Sequence, residues 1–180
     1  MVEKLARRVI GWEVGRGVQP VTWPVEARRG PLVLVADEFA ASDGDVITAA
    51  ISLLALGPVV GTRTWGGVIG IDGVPGHELA DGTHLTVPRY ALFFDEYGWD
   101  VENRGVEPDV EVVISPDDWA AGRDPQLETA VRIAIEALDK QPPVTPPDRP
   151  SGRSRARLPL PPRAPRATLW AGPRGPIPSR

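Results

Sequence analysis

Ser42 stands where a serine can do chemistry. It lies in Ala41-Ser42-Asp43-Gly44-Asp45, after the apolar run Pro31 to Val35 and before a helical pattern, Val46 to Leu56. A serine on a tight strand-to-helix turn presents its hydroxyl outward, and the backbone N–H groups behind it are the free donors of a helix start. That arrangement supplies a nucleophile and part of an oxyanion hole. The same residues also fit a purely structural role. Ser42-x-x-Asp45 has the form of a capping box, with a hydroxyl at the N-cap and an acid at N3. Capping is the commoner use of such a serine, and this segment alone leaves both roles open.

Other groups carry weaker signals. Gly61-Thr62-Arg63-Thr64-Trp65-Gly66-Gly67 is glycine-rich but lacks the Gly-Lys-Ser/Thr ending of a phosphate loop, so no lysine is placed for phosphates. No Gly-x-Gly-x-x-Gly fingerprint sits at a strand–helix junction, and nucleotide binding is rejected. His77-Glu78 and His84 lie seven residues apart around a glycine turn, whereas a zinc helix needs two histidines four apart on one face. Asp100 to Asp109 is an acidic loop before a strand, a solvated turn by composition. A carboxylate from it can instead orient a hydroxyl or polarise a base. Arg63, Trp65 and Glu13 can line a pocket or serve the fold alone.

The elements that must position these residues follow from pattern. Val2, Leu5, Ala6 and Val9 fall on one helical face, so Met1 to Ile10 reads as an amphipathic helix ended by Gly11. A loop with Gly15, Gly17 and Pro20 follows. Pro31 to Val35 reads as a buried strand of a largely parallel sheet. The helix to Leu56 is closed by Gly57-Pro58, and Val59-Val60 opens another strand. Asp72-Gly73 and Asp81-Gly82 are hairpin turn signals, with strands expected over Val68 to Ile71 and Thr83 to Phe94. Val110 to Ile114 is one more strand. Asp124-Pro125 starts a helix whose stripe is Leu127, Val131, Ala134 and Leu138. Strand–helix–strand order with an antiparallel insert gives an α/β domain over residues 1–140.

Composition sets the remaining bounds. The chain has 180 residues, 42% hydrophobic and 24% charged, enough for one packed domain. It has no cysteine, hence no disulfide framework or Cys-based metal site. No apolar run approaches the ~20 residues of a membrane helix, so no membrane partner is expected. No signal-peptide pattern opens the chain, which makes the cytoplasm the expected compartment. The net charge of −4 hides a division. Residues 141–180 hold eight arginines, one acid and 12 of the 21 prolines, a net of +7, leaving −11 on the rest. Pro142-Pro143, Pro146-Pro147 and Pro161-Pro162 forbid helix and central strand, so this tail is expected to be disordered or polyproline-like. Its one aromatic, Trp170, and irregular spacing make nucleic-acid binding an unlikely role.

Taken in order, several of these segments resemble the catalytic core of the tail-specific (C-terminal processing) peptidases, in particular the tricorn protease branch. The matching stretches are Asp37 to Asp45, Leu56 to Gly67, Asp81-Gly82, Glu102 to Asp109 and Asp124 to Glu128. The resemblance implies that Ser42 is the nucleophile of a serine peptidase, that the N–H of Asp43 donates to the oxyanion, and that Glu102 is the acid of a charge-relay network, acting through a further serine on a histidine. It implies a crotonase-like (ClpP-like) α/β core, an acyl-enzyme route without metal or organic cofactor, peptide or unfolded polypeptide substrates, and a homo-oligomer when full-length. In that family the base is a histidine in a Ser-His pair upstream of the nucleophile, and an upstream glycine gives the second oxyanion donor. This chain has no histidine before His77. It therefore reads as the last part of a larger protease, with little activity alone. The alternative from a different class is a non-catalytic α/β binding or assembly module in which Ser42 serves only as a cap.

Overall fold

Val59 and Val60 are both fully buried, as expected where a strand is covered on both faces. The structure, a computed structural model, describes residues 1–71 and 78–148. Asp72-Gly73, His77 and the proline-rich tail from residue 149 onward lie outside the described residues. The chain divides into two units, Met1–Pro146 and Pro147–Arg180, and the described fold is that of the first. Its elements are α1 (Val2–Ala6), β1 (Gly11–Glu13), β2 (Val21–Trp23), β3 (Leu34–Ala36), α2 (Asp43–Leu53), β4 (Val59–Gly61), β5 (Val110–Glu111), α3 (Pro116–Ala121) and α4 (Pro125–Lys140).

The central sheet is parallel, in the order β3-β4-β5, with Leu34 opposite Val59 and Val60 opposite Val110. Both α2 and α4 pack on β3 and β4. Strand–helix–strand order thus gives the expected α/β arrangement. Two apolar clusters fill the interior. Ala36, Ile51 and Val59 form one, joined by Leu5, Leu32 and Ile47. Ala49, Val68, Val101 and Val106 form the other, joined by Leu92 and Phe94. Helix α2 contributes to both, through Ile51 and Ala49, and so fixes the sheet relative to the loops that follow it.

Several expected elements differ. The first helix stops at Ala6, and Arg7 to Ile10 lead instead into β1. The segment read as a glycine loop contains a hairpin, β1 paired antiparallel with β2, Gly11 opposite Trp23. Its strands are too short for a period-two pattern to stand out. Helix α2 ends at Leu53, and Ala55 rather than Gly57 takes the left-handed position (φ 47°). The N–H of Leu56 returns to the carbonyl of Ile51, the closing bond of a Schellman turn. Among the described residues of the insert, antiparallel pairing takes the form of isolated bridges, Gly70 with Tyr90, Glu78 with His84 and Phe94 with Gly98, in place of the strands expected over Val68 to Ile71 and Thr83 to Phe94. Strand β5 is only two residues long.

Helix α3 was not expected, yet its start carries a full set of signals: Ser115 at the N-cap, Pro116 at N1 and Asp118 at N3. In α4 the large apolar residues do not face the sheet. Leu127, Val131 and Ile135 are about half exposed, whereas Gln126 and Ala130 are buried. Small Ala130 permits close approach to the strands, and the Gln126 amide donates to the carbonyl of Val112 at 2.9 Å.

Gly61 ends β4 with φ +133°, and a Cβ there would overlap the carbonyl oxygen of Ala36. Gly122, the αL cap of α3 (φ +65°), has open space around it. Gly122→Ala is expected to lose about 1 kcal/mol of stability from the left-handed backbone alone. Gly61→Ala adds a clash between neighbouring strands and should lose clearly more. Urea denaturation of both variants checks the order, and equal losses would contradict this account.

Candidate active site

The chain contains two Ser-x-x-Asp helix starts, and they behave differently. At Ser115 the backbone is extended (φ −73°, ψ 158°), and the hydroxyl accepts the N–H of Asp118 at 3.1 Å. This is an ordinary N-cap. The carboxyl of Asp118 is held below its ordinary range, chiefly by the Ser115 hydroxyl and then by Arg123. At Ser42 the backbone is φ 56°, ψ −113°, a conformation that costs a non-glycine residue of order 1–3 kcal/mol. Only the return half of the box is a hydrogen bond of ordinary length there. The N–H of Ser42 donates to Asp45 Oδ2 at 2.9 Å, while the hydroxyl makes no cap bond. The hydroxyl stays within the box contact to the N3 backbone without closing a cap hydrogen bond, and Ser42 is exposed.

What holds the turn is Asp45, whose side chain is fully buried. Its Oδ1 accepts the N–H of Gly66 at 2.8 Å, and its Oδ2 accepts those of Gly67 at 3.0 Å and Ser42 at 2.9 Å. The N–H of Trp65 adds a bond to the carbonyl of Ala40 at 3.0 Å, and the N–H of Ser42 also reaches the carbonyl of Gly67 at 3.1 Å. The glycine-rich segment therefore serves as the backbone that the serine turn is tied to. Sequence reading gave Asp45 only a capping role; its spacing to Ser42 is the signal, and its burial is not visible in sequence. At Asp43, the first residue of α2, the backbone N–H has no acceptor among the described residues.

Glu102 is tied to the same segment. Its Oε2 accepts the N–H groups of Val68 at 2.7 Å and Ile69 at 2.9 Å, and Oε1 accepts none among the described residues. The N–H of Asn103 donates to the carbonyl of Gly66 at 2.7 Å. Gly66 (φ +89°) can approach this closely only without a side chain, since a Cβ would overlap the backbone at Arg104 and Gly105. Ser42 and Glu102 are thus anchored to consecutive residues, Gly67 and Val68.

The other candidates separate. The Arg63 guanidinium bonds the carbonyl of Arg104 and lies 3.8 Å from Glu107, which ties it to the 104–107 loop. Trp65 is 67% exposed, and Phe39, three residues before Ser42, is 81% exposed. Glu13 lies exposed on β1, and His84 is exposed at its bridge with Glu78. No side chain among the described residues hydrogen-bonds the Ser42 hydroxyl. An open, mostly apolar cleft of about 530 Å³, lined by Met1, Val2, Asp43, Gly44, Val46 and Ile47, borders the first turn of α2. A second, of about 470 Å³, lies between Phe39 and Trp119 among the loops that follow the carboxyl ends of β3, β4 and β5. Open α/β sheets bind ligands at that end. Glu38 lines it, its carboxyl lowered mainly by a 2.7 Å bond from the Thr62 hydroxyl.

The profile of Peptidase family S41 matches residues 14–112. Tricorn protease homolog 1 of Streptomyces coelicolor is 57% identical over 150 residues, 83% of this chain and 14% of that protein. Tricorn protease of Thermoplasma acidophilum is 42% identical over 138 residues, 77% of this chain and 13% of that protein. A crystal structure of the tricorn protease superposes with a TM-score of 0.71 at 42% identity, over 77% of this chain and 13% of that one. The chain therefore spans about one seventh of the length of the curated relatives it matches.

The two serines give a direct comparison. Ser115→Ala should cost about 1 kcal/mol through its lost cap, and Ser42→Ala a few tenths at most. Asp45→Asn leaves one acceptor oxygen and an amide facing backbone donors, and should cost about 2–4 kcal/mol. Chemical denaturation of the three variants checks this, and a Ser42→Ala loss equal to that of Ser115→Ala would return Ser42 to a capping role.

Proposed function

The chain belongs to peptidase family S41, and from that premise we propose that it is the core of a serine-type peptidase of tricorn type, with Ser42 as nucleophile. The carrying observation is Ser42: exposed on a positive-φ turn, without a side-chain cap hydrogen bond, and next to an Asp43 N–H that has no acceptor among the described residues. A hydroxyl that capped α2 would favour the alternative, a binding module that does no chemistry.

In this reading Ser42 Oγ attacks the peptide carbonyl carbon, and its proton passes to a general base. The carbonyl oxygen gains the negative charge, which the N–H of Asp43 and the positive end of α2 stabilise. Collapse expels the amine and leaves an acyl-serine, which water then hydrolyses. Acyl transfer by this route uses no metal or organic cofactor. Glu102 is the acid of the relay, with its Oε2 fixed by two backbone donors and its Oε1 left to accept from a relay partner. The base in this family is a histidine paired with a serine upstream of the nucleophile. Residues 1–140 form the C-terminal part of a crotonase-like catalytic domain, and a basic, proline-rich segment follows over 141–180. The whole protein is a cytoplasmic homo-oligomer acting on peptides or unfolded chains. Among the described residues no helix is long and apolar enough to cross a membrane.

General-base help contributes typically ~10²–10⁴-fold. Residues 1–180 alone should therefore turn over a fluorogenic peptide at least ~10²-fold more slowly than the same chain supplied with the Ser-His segment of a tricorn relative. Fluorophosphonate should label Ser42 in that complemented sample. Turnover and labelling that persist in Ser42→Ala would end the proposal.

A further inference from the structure

The body of this protein is acidic, yet four of the twelve basic side chains before residue 141 line one cleft. Arg7, Arg8, Arg28 and Arg29 surround a space of about 300 Å³ with Pro31 and Val144 among its apolar walls. Like charges gathered this way repel one another, and an anion seated among them would relieve the repulsion. Carboxylates do not do it here. Among the described residues Arg8, Arg28 and Arg29 have no ion-pair partner, and Arg7 pairs with Glu3 at 3.2 Å and lies within the field of Glu26, which Lys4 already holds. The Glu3 side chain is 88% exposed, so solvent screens it.

Three of the four guanidiniums are held by neutral groups. Arg7 donates to the carbonyl of Val25 at 2.8 Å, Arg28 to that of Gly30 at 3.4 Å, and Arg29 to that of Val144 at 2.9 Å. Arg29 also lies 5.2 Å above the Trp12 ring, a cation–π contact. The far wall is fixed by a reciprocal bond, the N–H of Val144 to the carbonyl of Arg29 at 2.9 Å. Carbonyls and an indole orient a cation without cancelling its charge. Arg7 and Arg8 follow α1, Arg28 and Arg29 follow β2, and Val144 follows α4, so three separate parts of the chain are held around the cleft.

We infer that this arginine cleft is a binding site for a compact, multivalent oxyanion of the phosphate or polycarboxylate class. Guanidinium forks match the paired oxygens of such groups, and each charge-assisted bond is about twice as strong as a neutral one. The volume suits a small anion. The site is independent of the peptidase reading, since none of its residues belongs to the Ser42–Glu102 arrangement.

Equilibrium dialysis of the full 180-residue chain with labelled pyrophosphate, at physiological salt, tests this, with citrate as the carboxylate arm. One saturable site per chain is expected for at least one of the two anions. Arg8→Gln and Arg28→Gln should each weaken it about tenfold, with unliganded melting temperatures close to that of the parent. The arginine-rich tail is a competing anion sink, so Arg153→Gln/Arg155→Gln/Arg157→Gln is the control and should leave the site intact. No saturable retention of either anion would overturn the inference. Retention lost in the tail variant but kept in Arg8→Gln and Arg28→Gln would overturn it equally.

Discussion

A single buried carboxylate organises the part of this molecule that matters for chemistry. Asp45 has no cation beside it among the described residues; its charge is met by three backbone N–H groups and by its place in the first turn of α2. A buried charge left unmet costs several kcal/mol, so these bonds are close to obligatory once Asp45 is inside. They force Gly66 and Gly67 against the Ser42 turn. Gly66 in turn must sit against the backbone of Arg104 and Gly105, which brings the Glu102 loop to the same place. The nucleophile candidate, the glycine-rich segment and the acid candidate are consequences of where one carboxylate finds its donors.

The same short pattern, serine followed three residues later by aspartate, gives a cap at Ser115 and an unused hydroxyl at Ser42. The side chains do not explain the difference; the backbone does. Where φ is negative the hydroxyl accepts the N3 amide at 3.1 Å, and where φ is positive the two groups face each other without a cap hydrogen bond of ordinary length. The cost of the positive φ is sustained at Ser42 because Asp45 and the carbonyl of Gly67 both hold its N–H. Strain tolerated at an exposed polar side chain is more characteristic of a functional position than of a structural one.

The sheet and the two long helices were legible because their signals are local. Val59 and Val60 mark a buried strand, and Asp124-Pro125 starts α4 as its residue types require. The hairpin of β1 and β2 was not legible, since three-residue strands are defined by their partner rather than by their own sequence. The face that α4 buries was not legible for a related reason. Large residues mark a stripe in the sequence, but the sheet admits Ala130 and Gln126, and only the packing shows it. At the site, Ser42, Asp43 and Glu102 emerged from motif resemblance. Asp45 did not emerge as the anchor, because burial of an acid is a tertiary fact that spacing cannot carry.

Residues 65–69 act as a common axle. The serine turn hangs from Gly66 and Gly67, the glutamate from Val68 and Ile69. Displacement of that stretch would carry Ser42 and Glu102 in step, conserving their mutual spacing while both shift against the remainder of the molecule. Under the proposed roles, where reactivity falls ~10²-fold for an ångström of misplacement, a mount shared in this way would guard the geometry of the pair.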